Sequence, residues 1–399
     1  MNPAEPASLS RRDRALSLSA VYACIFANGL GMGLSLPLLS LILERNGISA
    51  TLNGANAMFG AVAMLAFTPF IPAFAARLGT VRFLIACYVV AAISLLGFRA
   101  SNDLALWFLL RFTLNGALQG LFLVSEVWIN QIATDAMRGR LIAIYASIVS
   151  AGFALGPIII QSLGTTGWEP FIAGAVLMLL AMLPLIAAHR VVPPVEHASA
   201  GAMFSFVWSS PSAAAAGLAY GAIEMCAASF LTVYAVRLGS KEDAATLLIT
   251  AWGLGNMLLV PLLGWLADKT DRRHVMMLCA SVGVVGAALL PFAGGVSYWA
   301  LALVFIWGGF VAAIYALGLT HLGSNFRGGQ LAAANAAFSI LYALGTLAGP
   351  GLGGIAIDLW NPHGLPVVLG LISAVFLGVV TYRTATFPRP NKQLTSNAG

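Results

Sequence analysis

Charged residues are scarce in this chain of 399 residues. Only 9% of the residues are charged, with 20 Lys and Arg against 14 Asp and Glu, whereas 60% are hydrophobic. A soluble chain carries about a quarter charged residues, so this composition excludes a soluble enzyme and indicates a membrane protein. The net charge of +6 does not indicate nucleic-acid binding, because the basic residues stand singly or in pairs between apolar runs.

Residue patterns typical of catalysis and of bound cofactors are also missing. The four cysteines lie in apolar segments without C-x-x-C spacing, which argues against disulfide, zinc and redox sites. None of the three lysines, Lys241, Lys269 and Lys392, follows a glycine, so the chain has no phosphate-binding loop for ATP. The motifs H-E-x-x-H and G-x-S-x-G are absent. We therefore expect no enzymatic activity, no metal and no cofactor.

Long apolar runs dominate the rest of the chain. A helix needs about 20 apolar residues to cross a bilayer, and dividing the uncharged stretches at Gly, Pro and Asn gives twelve such spans. The predicted spans are 16–42, 53–76, 83–99, 105–131, 141–163, 169–189, 212–236, 244–267, 275–293, 298–320, 329–357 and 365–385. The sequence therefore predicts an all-α membrane protein with 12 transmembrane helices.

The distribution of positive charge predicts the orientation of these spans. If the N-terminus is cytoplasmic, 15 of the 20 Lys and Arg residues lie in loops on the cytoplasmic side. Only Arg45, Arg99, Arg237 and Lys241 then lie outside, and Arg111 lies within a span. Because cytoplasmic loops are enriched in Lys and Arg, both termini are predicted to be cytoplasmic. No cleavable signal peptide is expected, since the first span is too long for one.

An internal repeat divides the spans into six and six. A shift of 192 residues lays the segment Pro69–Arg82 on Pro261–His274, and it pairs Gly29 with Gly221 and Arg45 with Arg237. The predicted organisation is an N-terminal six-helix bundle at 1–190, a cytoplasmic linker at 191–211 and a C-terminal bundle at 212–399. Two pseudo-symmetric bundles of this kind are typical of an alternating-access carrier.

Three local motifs resemble the major facilitator superfamily. The run GWLADKTDRR (Gly264–Arg273) is similar to the superfamily's loop motif G-x-x-x-D-x-x-G-R-R/K, with Asp271 in place of the usual Gly. The pair Gly156-Pro157 resembles a feature associated with antiporters of the superfamily. The run SEVWINQIATDAMRGR (Ser125–Arg140) resembles an uncharacterised bacterial branch of the superfamily that is grouped with exporters of drugs and metabolites.

The resemblance implies several properties of the chain. It implies a secondary transporter of the bacterial inner membrane that works as a monomer. It also implies that Asp268, Arg272 and Arg273 form a gating-loop latch that stabilises one conformation of the carrier. The N-terminal copy of the motif has Ala76 at the position of Asp268, so the resemblance implies no equivalent latch there.

Three ionisable residues lie within predicted spans: Arg111, Glu126 and Glu224. Each costs about 2.5–3.5 kcal/mol at a helix centre, so each needs a functional or structural reason. Glu224, at the middle of the seventh span, is our first candidate for coupling or substrate binding; the alternative is a neutral side chain that joins two helices. Glu126, near the cytoplasmic end of the fourth span, either takes part in coupling or pairs with Arg77, Arg138 or Arg140 in a gating latch. Arg111 either attracts an anionic group or caps helix packing.

Further polar and aromatic residues share helix faces with these charges. At about 100° per residue, Asn115 and Gln119 lie on the same stripe of the fourth span as Arg111, and such a stripe must face protein or an aqueous cavity. The residues that we predict to line a cavity are Asn28, Asn115, Gln119, Tyr220, Trp252, Asn256, Asn335 and Tyr342.

These features favour a proton-coupled antiporter that exports a small amphipathic or cationic compound by alternating access. Protons, a small-molecule substrate and the lipid bilayer are its expected partners. The alternative is a proton-coupled uptake symporter for a small polar or anionic metabolite, which would use Arg111, Tyr342 and Asn335. A third class is a transporter-like sensor or lipid scramblase without vectorial transport.

Overall fold

The computed structural model describes residues 10–132, 137–191, 210–325 and 329–386. Within these ranges twelve helices are long and apolar enough to cross a membrane, and no strand is present. The prediction of an all-α protein with twelve spans is confirmed. The division into bundles at 1–190 and 212–399 stays a prediction, because most of the predicted linker lies outside the described residues.

We number the twelve long helices in chain order. The first six are α1 (Arg11–Arg45), α2 (Ala50–Phe67), α3 (Thr80–Ala100), α4 (Leu104–Ile132), α5 (Arg138–Leu163) and α6 (Glu169–Ala181). The second six are α7 (Pro211–Arg237), α8 (Leu247–Lys269), α9 (Arg272–Leu289), α10 (Tyr298–Asn325), α11 (Gly329–Leu359) and α12 (Gly364–Thr386).

Prolines shorten two of the predicted spans. The predicted span 53–76 ends early, since α2 stops at Phe67 and a separate short helix, Ile71–Leu78, follows. The predicted span 169–189 is likewise divided between α6 and the short helix Leu183–Ala187. Pro69, Pro72 and Pro184 lie at these breaks, and a proline lacks the N–H group that would continue the hydrogen-bond ladder.

Glycines bring α1 against α5 and α7 against α11. A Cβ atom at Gly29 would overlap the backbone carbonyl oxygen of Val149, and one at Gly221 would overlap that of Tyr342. Gly29 and Gly221 are the pair that the 192-residue shift superimposes. Small residues at such positions let helix backbones approach closely in a membrane, so the same close contact occurs once in each half of the chain.

The two halves meet toward the end of the molecule that carries residues 46–49. We call this the outer end, because the Lys and Arg distribution predicts that it is external. There α2 packs on α11, with the Met58 side chain next to Gly351, and α1 packs on α7, where Leu36 contacts Met225 and Ala228. These contacts close the outer end, while the exposed Glu126 lies toward the opposite, inner end.

We expect Gly221→Ala to destabilise the protein. The added methyl group meets the rigid backbone of α11, so α7 and α11 must move apart, at a cost of about 1–3 kcal/mol. The apparent melting temperature of the detergent-purified protein should fall. Gly378→Ala on α12 is the matched control, because a Cβ there has no neighbouring atom within 4 Å. Equal melting temperatures for the two variants would show that the close contact carries no stability.

Candidate functional site

Glu224 lies near the middle of α7 and is hydrogen-bonded by two tyrosines. The Tyr220 hydroxyl, one turn earlier on α7, donates to Oε1 at 2.7 Å. The Tyr342 hydroxyl on α11 donates to Oε2 at 2.7 Å. The second bond depends on the close approach of α7 and α11, since Gly221 lies directly against the backbone of Tyr342. Both carboxylate oxygens are therefore held in place by side chains from two helices.

A third tyrosine completes an aromatic cluster around this carboxylate. The Tyr315 ring of α10 lies 5.4 Å from the Tyr220 ring and 5.3 Å from the Tyr342 ring, measured between centroids. The Tyr220 and Tyr342 rings are stacked, with their centroids 6.0 Å apart. We call Tyr220, Tyr315 and Tyr342 the tyrosine cage. Aromatic faces next to a carboxylate attract organic cations, and each hydroxyl can donate to a carboxylate or accept from a carboxylic acid.

Glu126 brings a second carboxylate from the other half of the chain. Its side chain is exposed, and it forms no ion pair with any residue that the structure describes. It interacts electrostatically with Tyr145 of α5 and, across the two halves, with Tyr315 of the tyrosine cage. A pairing with Arg77 is therefore absent in this conformation, while the Arg138 and Arg140 side chains lie outside the described residues. Glu126 and Glu224 thus both interact electrostatically with Tyr315.

The polar stripe of α4 is packed inside the N-terminal half. Arg111 and Asn115 are buried, and the Asn115 amide donates to the Arg111 carbonyl at 3.0 Å. The Gln119 amide donates to the Thr68 hydroxyl at 3.0 Å, and the Asn28 amide donates to the Leu118 carbonyl at 2.9 Å. In this conformation the Asn28 and Gln119 amides bond to residues outside their own helices, whereas the Asn115 amide bonds within α4. That these three residues line a cavity stays a prediction.

Two further predicted lining residues join α8 to α10. The buried Trp252 ring packs edge-on against Trp307, with centroids 4.9 Å apart. The Asn256 amide is oriented by its hydrogen bonds, donating to the Gly308 carbonyl at 2.9 Å and accepting from the Trp252 indole N–H at 3.3 Å. Trp252 therefore packs between two helices in this conformation, and its role in lining a cavity stays a prediction. The side chain of Asn335 lies outside the described residues.

The loop motif between α8 and α9 makes its described contacts within the C-terminal half. Arg272 bonds to the Asp268 carboxylate at 3.2 Å and donates to the Thr320 carbonyl of α10 at 3.1 Å. Asp271 caps α9, since its side chain accepts from the Arg273 backbone N–H at 3.0 Å. Its repeat partner Gly79 has φ +82°, a left-handed conformation that favours glycine. The two copies of the motif therefore differ in backbone as well as in charge.

Gly156 and Pro157 lie on α5 where it crosses α1. A Cβ at Gly156 would overlap the backbone of Gly33 and Leu34, and Pro157 is accommodated inside the helix. The pair therefore contributes to close packing between α1 and α5. Among the residues that the structure describes, no group of three or more His, Cys, Asp and Glu side chains could hold a metal ion.

The sequence reasoning missed a set of polar contacts that joins the two halves at the outer end. Arg237, at the end of α7, forms a bidentate ion pair with Glu44 of α1 through its Nε at 2.7 Å and its Nη2 at 2.8 Å. Its repeat partner Arg45, at the end of α1, pairs with Glu242 of the C-terminal half, Nε to Oε1 3.0 Å. We call these two ion pairs the outer latch. The sequence feature that could have indicated the outer latch is the repeated arginine, which stands at the end of both α1 and α7.

Asp358 of α11 adds a third contact across the outer end. Its Oδ1 accepts from the Ala50 backbone N–H at 3.1 Å, and its Oδ2 accepts from the Thr51 backbone N–H at 2.8 Å and the Thr51 hydroxyl at 2.7 Å. These N–H groups belong to the first turn of α2, which has no partners for them within the helix. The negative charge of the carboxylate is also stabilised by the helix dipole, whose positive end lies at the N-terminus of α2. Asp358 thus caps a helix of the opposite half.

Comparisons with known sequences identify the family. The sequence model of the family described as Major Facilitator Superfamily matches residues 21–241 and 212–398 of this chain. The chain is 28% identical over 368 residues to the uncharacterized MFS-type transporter YfkF of Bacillus subtilis, covering 88% of this chain and 92% of that protein. It is also 23% identical over 372 residues to multidrug resistance protein 2 of the same organism, covering 89% of this chain and 92% of that protein.

Solved structures show the same fold. A crystal structure of a variant of the nucleoside transporter NupG matches with a TM-score of 0.75 at 14% identity, covering 93% of this chain and 99% of that one. A bacterial homologue of the human lysosomal transporter Spinster, in an inward-facing and unoccupied conformation, matches with a TM-score of 0.71 at 16% identity, covering 95% and 99%. With the superfamily model matched over most of its length and twelve membrane helices in the described residues, the chain belongs to the Major Facilitator Superfamily and is a multi-pass membrane transporter.

Proposed function

We propose that this transporter is a proton-coupled antiporter that exports a small amphipathic or cationic compound. The observation that carries the proposal is the half-buried Glu224 carboxylate, bonded by Tyr220 and Tyr342 and flanked by Tyr315. A carboxylate within the membrane is costly unless it has a function or a partner. The tyrosine cage supplies flat apolar faces and negative ring potential, which together favour an amphipathic cation.

Competition for one carboxylate explains how export is coupled to protons. Glu224 neutralises its charge either by binding a proton or by binding the positive group of a substrate, and the low local dielectric disfavours leaving it with neither. Proton binding therefore releases the cation, and cation binding releases the proton. The tyrosine hydroxyls serve both states, because each rotates between donating to the carboxylate and accepting from the carboxylic acid.

Alternating access requires the outer latch to open during each cycle. In the conformation described, the halves touch at the outer end, and Glu126 is exposed toward the inner end. Substrate would reach Glu224 from the inner end past Glu126, whose charge attracts cations. Separation of the Arg237–Glu44 and Arg45–Glu242 pairs would then open the route outward. The inner-end counterpart that we propose is the loop of Asp268, Arg272 and Arg273, closing when the outer latch opens.

Two of the matched proteins are named for different kinds of substrate. Multidrug resistance protein 2 supports export, whereas the nucleoside transporter NupG shares the fold at low identity only. Two residues of the uptake alternative are not in one site, because Arg111 is buried in the N-terminal half and Tyr342 bonds to Glu224 in the other half. This separation favours the exporter. A single chain supplies both halves, in keeping with a monomer of the bacterial inner membrane with cytoplasmic termini.

We expect tetraphenylphosphonium, a lipophilic cation, to raise the melting temperature of the purified wild type, because a ligand that binds only the folded state stabilises it. Glu224→Gln should lose this shift, since the amide keeps the shape but removes the charge. Tyr342→Phe should reduce it, and Glu169→Gln, which changes an exposed carboxylate away from the cage, should leave it unchanged. An equal shift in wild type and Glu224→Gln would refute the cation site.

Transport measurements separate antiport from a sensor or a lipid scramblase. In everted vesicles that hold an acidic interior, adding the cation should make the interior less acidic in wild type, and Glu224→Gln should abolish this proton movement. Binding of the cation without proton movement in wild type would overturn the antiport mechanism. Movement of labelled lipid without any proton flux would favour the scramblase.

Weakening the outer latch should expose the contact between α1 and α7. We expect Glu44→Gln, combined with the reporter Ala228→Cys, to increase labelling by a membrane-impermeant maleimide several-fold, because the bidentate pair with Arg237 is lost. The four native cysteines are buried. Asp103→Asn is the matched control, since Asp103 is exposed at the same end and accepts only a local bond from Ala105. Equal labelling of the two variants would contradict a role of this ion pair in closing the outer end.

A further inference from the structure

Arg111 is a buried cation that has no counter-ion among the residues that the structure describes. Its side chain is 1% exposed, and its Nε, Nη1 and Nη2 atoms have no hydrogen-bond partner among the described residues. Burying an unpaired charge costs several kcal/mol. Glu126, on the same helix, is 15 residues away, or about 22 Å at 1.5 Å per residue, so it cannot neutralise Arg111.

Two other buried side chains with unpartnered polar atoms lie close to the level of Arg111. Asn56 of α2 is 0% exposed and Ser35 of α1 is 1% exposed. Within the described part of the chain, neither amide atom of Asn56 has a hydrogen-bond partner, and the Ser35 hydroxyl has none either. Buried polar atoms without partners are rare, because each costs about 1–3 kcal/mol. Arg111, Asn56 and Ser35 lie on three neighbouring helices, and each of these side chains can donate a hydrogen bond.

Helix contacts place these three side chains in one region of the N-terminal half. A Cβ at Gly60 would meet the Asn115 amide at 2.7 Å, so Asn56 and Arg111, each four residues toward the outer end on parallel helices, lie at the same level. A Cβ at Gly31 would meet the Leu118 side chain at 2.7 Å, which shows that this face of α1 packs on α4. Ser35 lies on that face, one turn toward the outer end.

The geometry points to a binding site for a small monovalent anion, of the size of chloride, between α1, α2 and α4. The Arg111 guanidinium supplies the charge, and the Asn56 amide and Ser35 hydroxyl supply further donors. All three side chains are almost completely shielded from solvent, so we assign the site to a halide or an ion of similar size and not to a larger substrate. The site lies in the half opposite Glu224 and does not depend on the proposed export of cations.

The test compares melting temperatures of detergent-purified protein in sodium chloride, sodium bromide and sodium gluconate at equal ionic strength. Wild type should melt about 2 °C or more higher in chloride and bromide than in gluconate, because a bound anion stabilises the folded state and gluconate is too large to enter. Arg111→Met should lose this difference. In gluconate it should melt no lower than wild type, because the unpaired charge is gone.

Arg99→Met is the matched control. Arg99 belongs to the same half, but its guanidinium lies over the Trp168 ring, 5.6 Å from the centroid, so its loss should leave the chloride effect intact. Asn56→Leu and Ser35→Ala should each weaken the chloride effect, and they keep the test valid if Arg111→Met does not fold. Equilibrium dialysis with radioactive chloride should give about one bound ion per wild-type chain and none for Arg111→Met.

Two results would overturn the proposal. The first is a wild-type melting temperature that is the same in chloride and gluconate, together with no bound radioactive chloride. The second is a chloride effect that persists in Arg111→Met. Formate and benzoate test which anions the site accepts. Stabilisation by formate as well as by halide supports a general site for small anions. Stabilisation by benzoate and not by chloride would contradict the proposed size of the ligand. Glu224→Gln should keep the chloride effect, so failure of this site and failure of the cation site are separable.

Discussion

The close approach of α7 and α11 is the contact on which the candidate site depends. Gly221 allows the backbone of Tyr342 to lie directly against α7, and the Tyr342 side chain then reaches the Glu224 carboxylate. A side chain at position 221 would widen the gap by more than a hydrogen bond tolerates. The carboxylate, the cage and the packing of two helices are therefore one geometric unit, and membrane helices need small residues at such a crossing.

Residues that the two halves share form the packing contacts and the ion pairs, whereas the candidate site uses a residue that only one half has. Gly29 and Gly221 have the same role in both halves, and so do Arg45 and Arg237. Glu224, in contrast, corresponds to Met32, an apolar residue that packs against Leu36. In the transport cycle that we propose, the shared frame lets the two halves move alike, and only the C-terminal half supplies the carboxylate of Glu224.

The sequence predicts features that depend on the chemistry of the residues themselves. It does not predict contacts that depend on which other helix lies next to a residue. The twelve spans follow from length and hydropathy, and Glu224 stood out because a charge inside the membrane is costly. The bond from Tyr342 needed the distance between two helices, which no pattern along one chain provides. Asn115 shows the same limit, because periodicity identified its helix face but not that α2 covers that face.

Ser49 explains how the outer end can separate without loss of helical structure. Asp358 caps α2 from the opposite half, but the Ser49 hydroxyl also accepts from the Leu52 backbone N–H at 3.3 Å, within the same half. When Asp358 departs, α2 keeps a cap of its own, and water reaches the remaining N–H groups. In the alternating access that we propose, the two halves would then separate as rigid bodies, without fraying of α2 at this end.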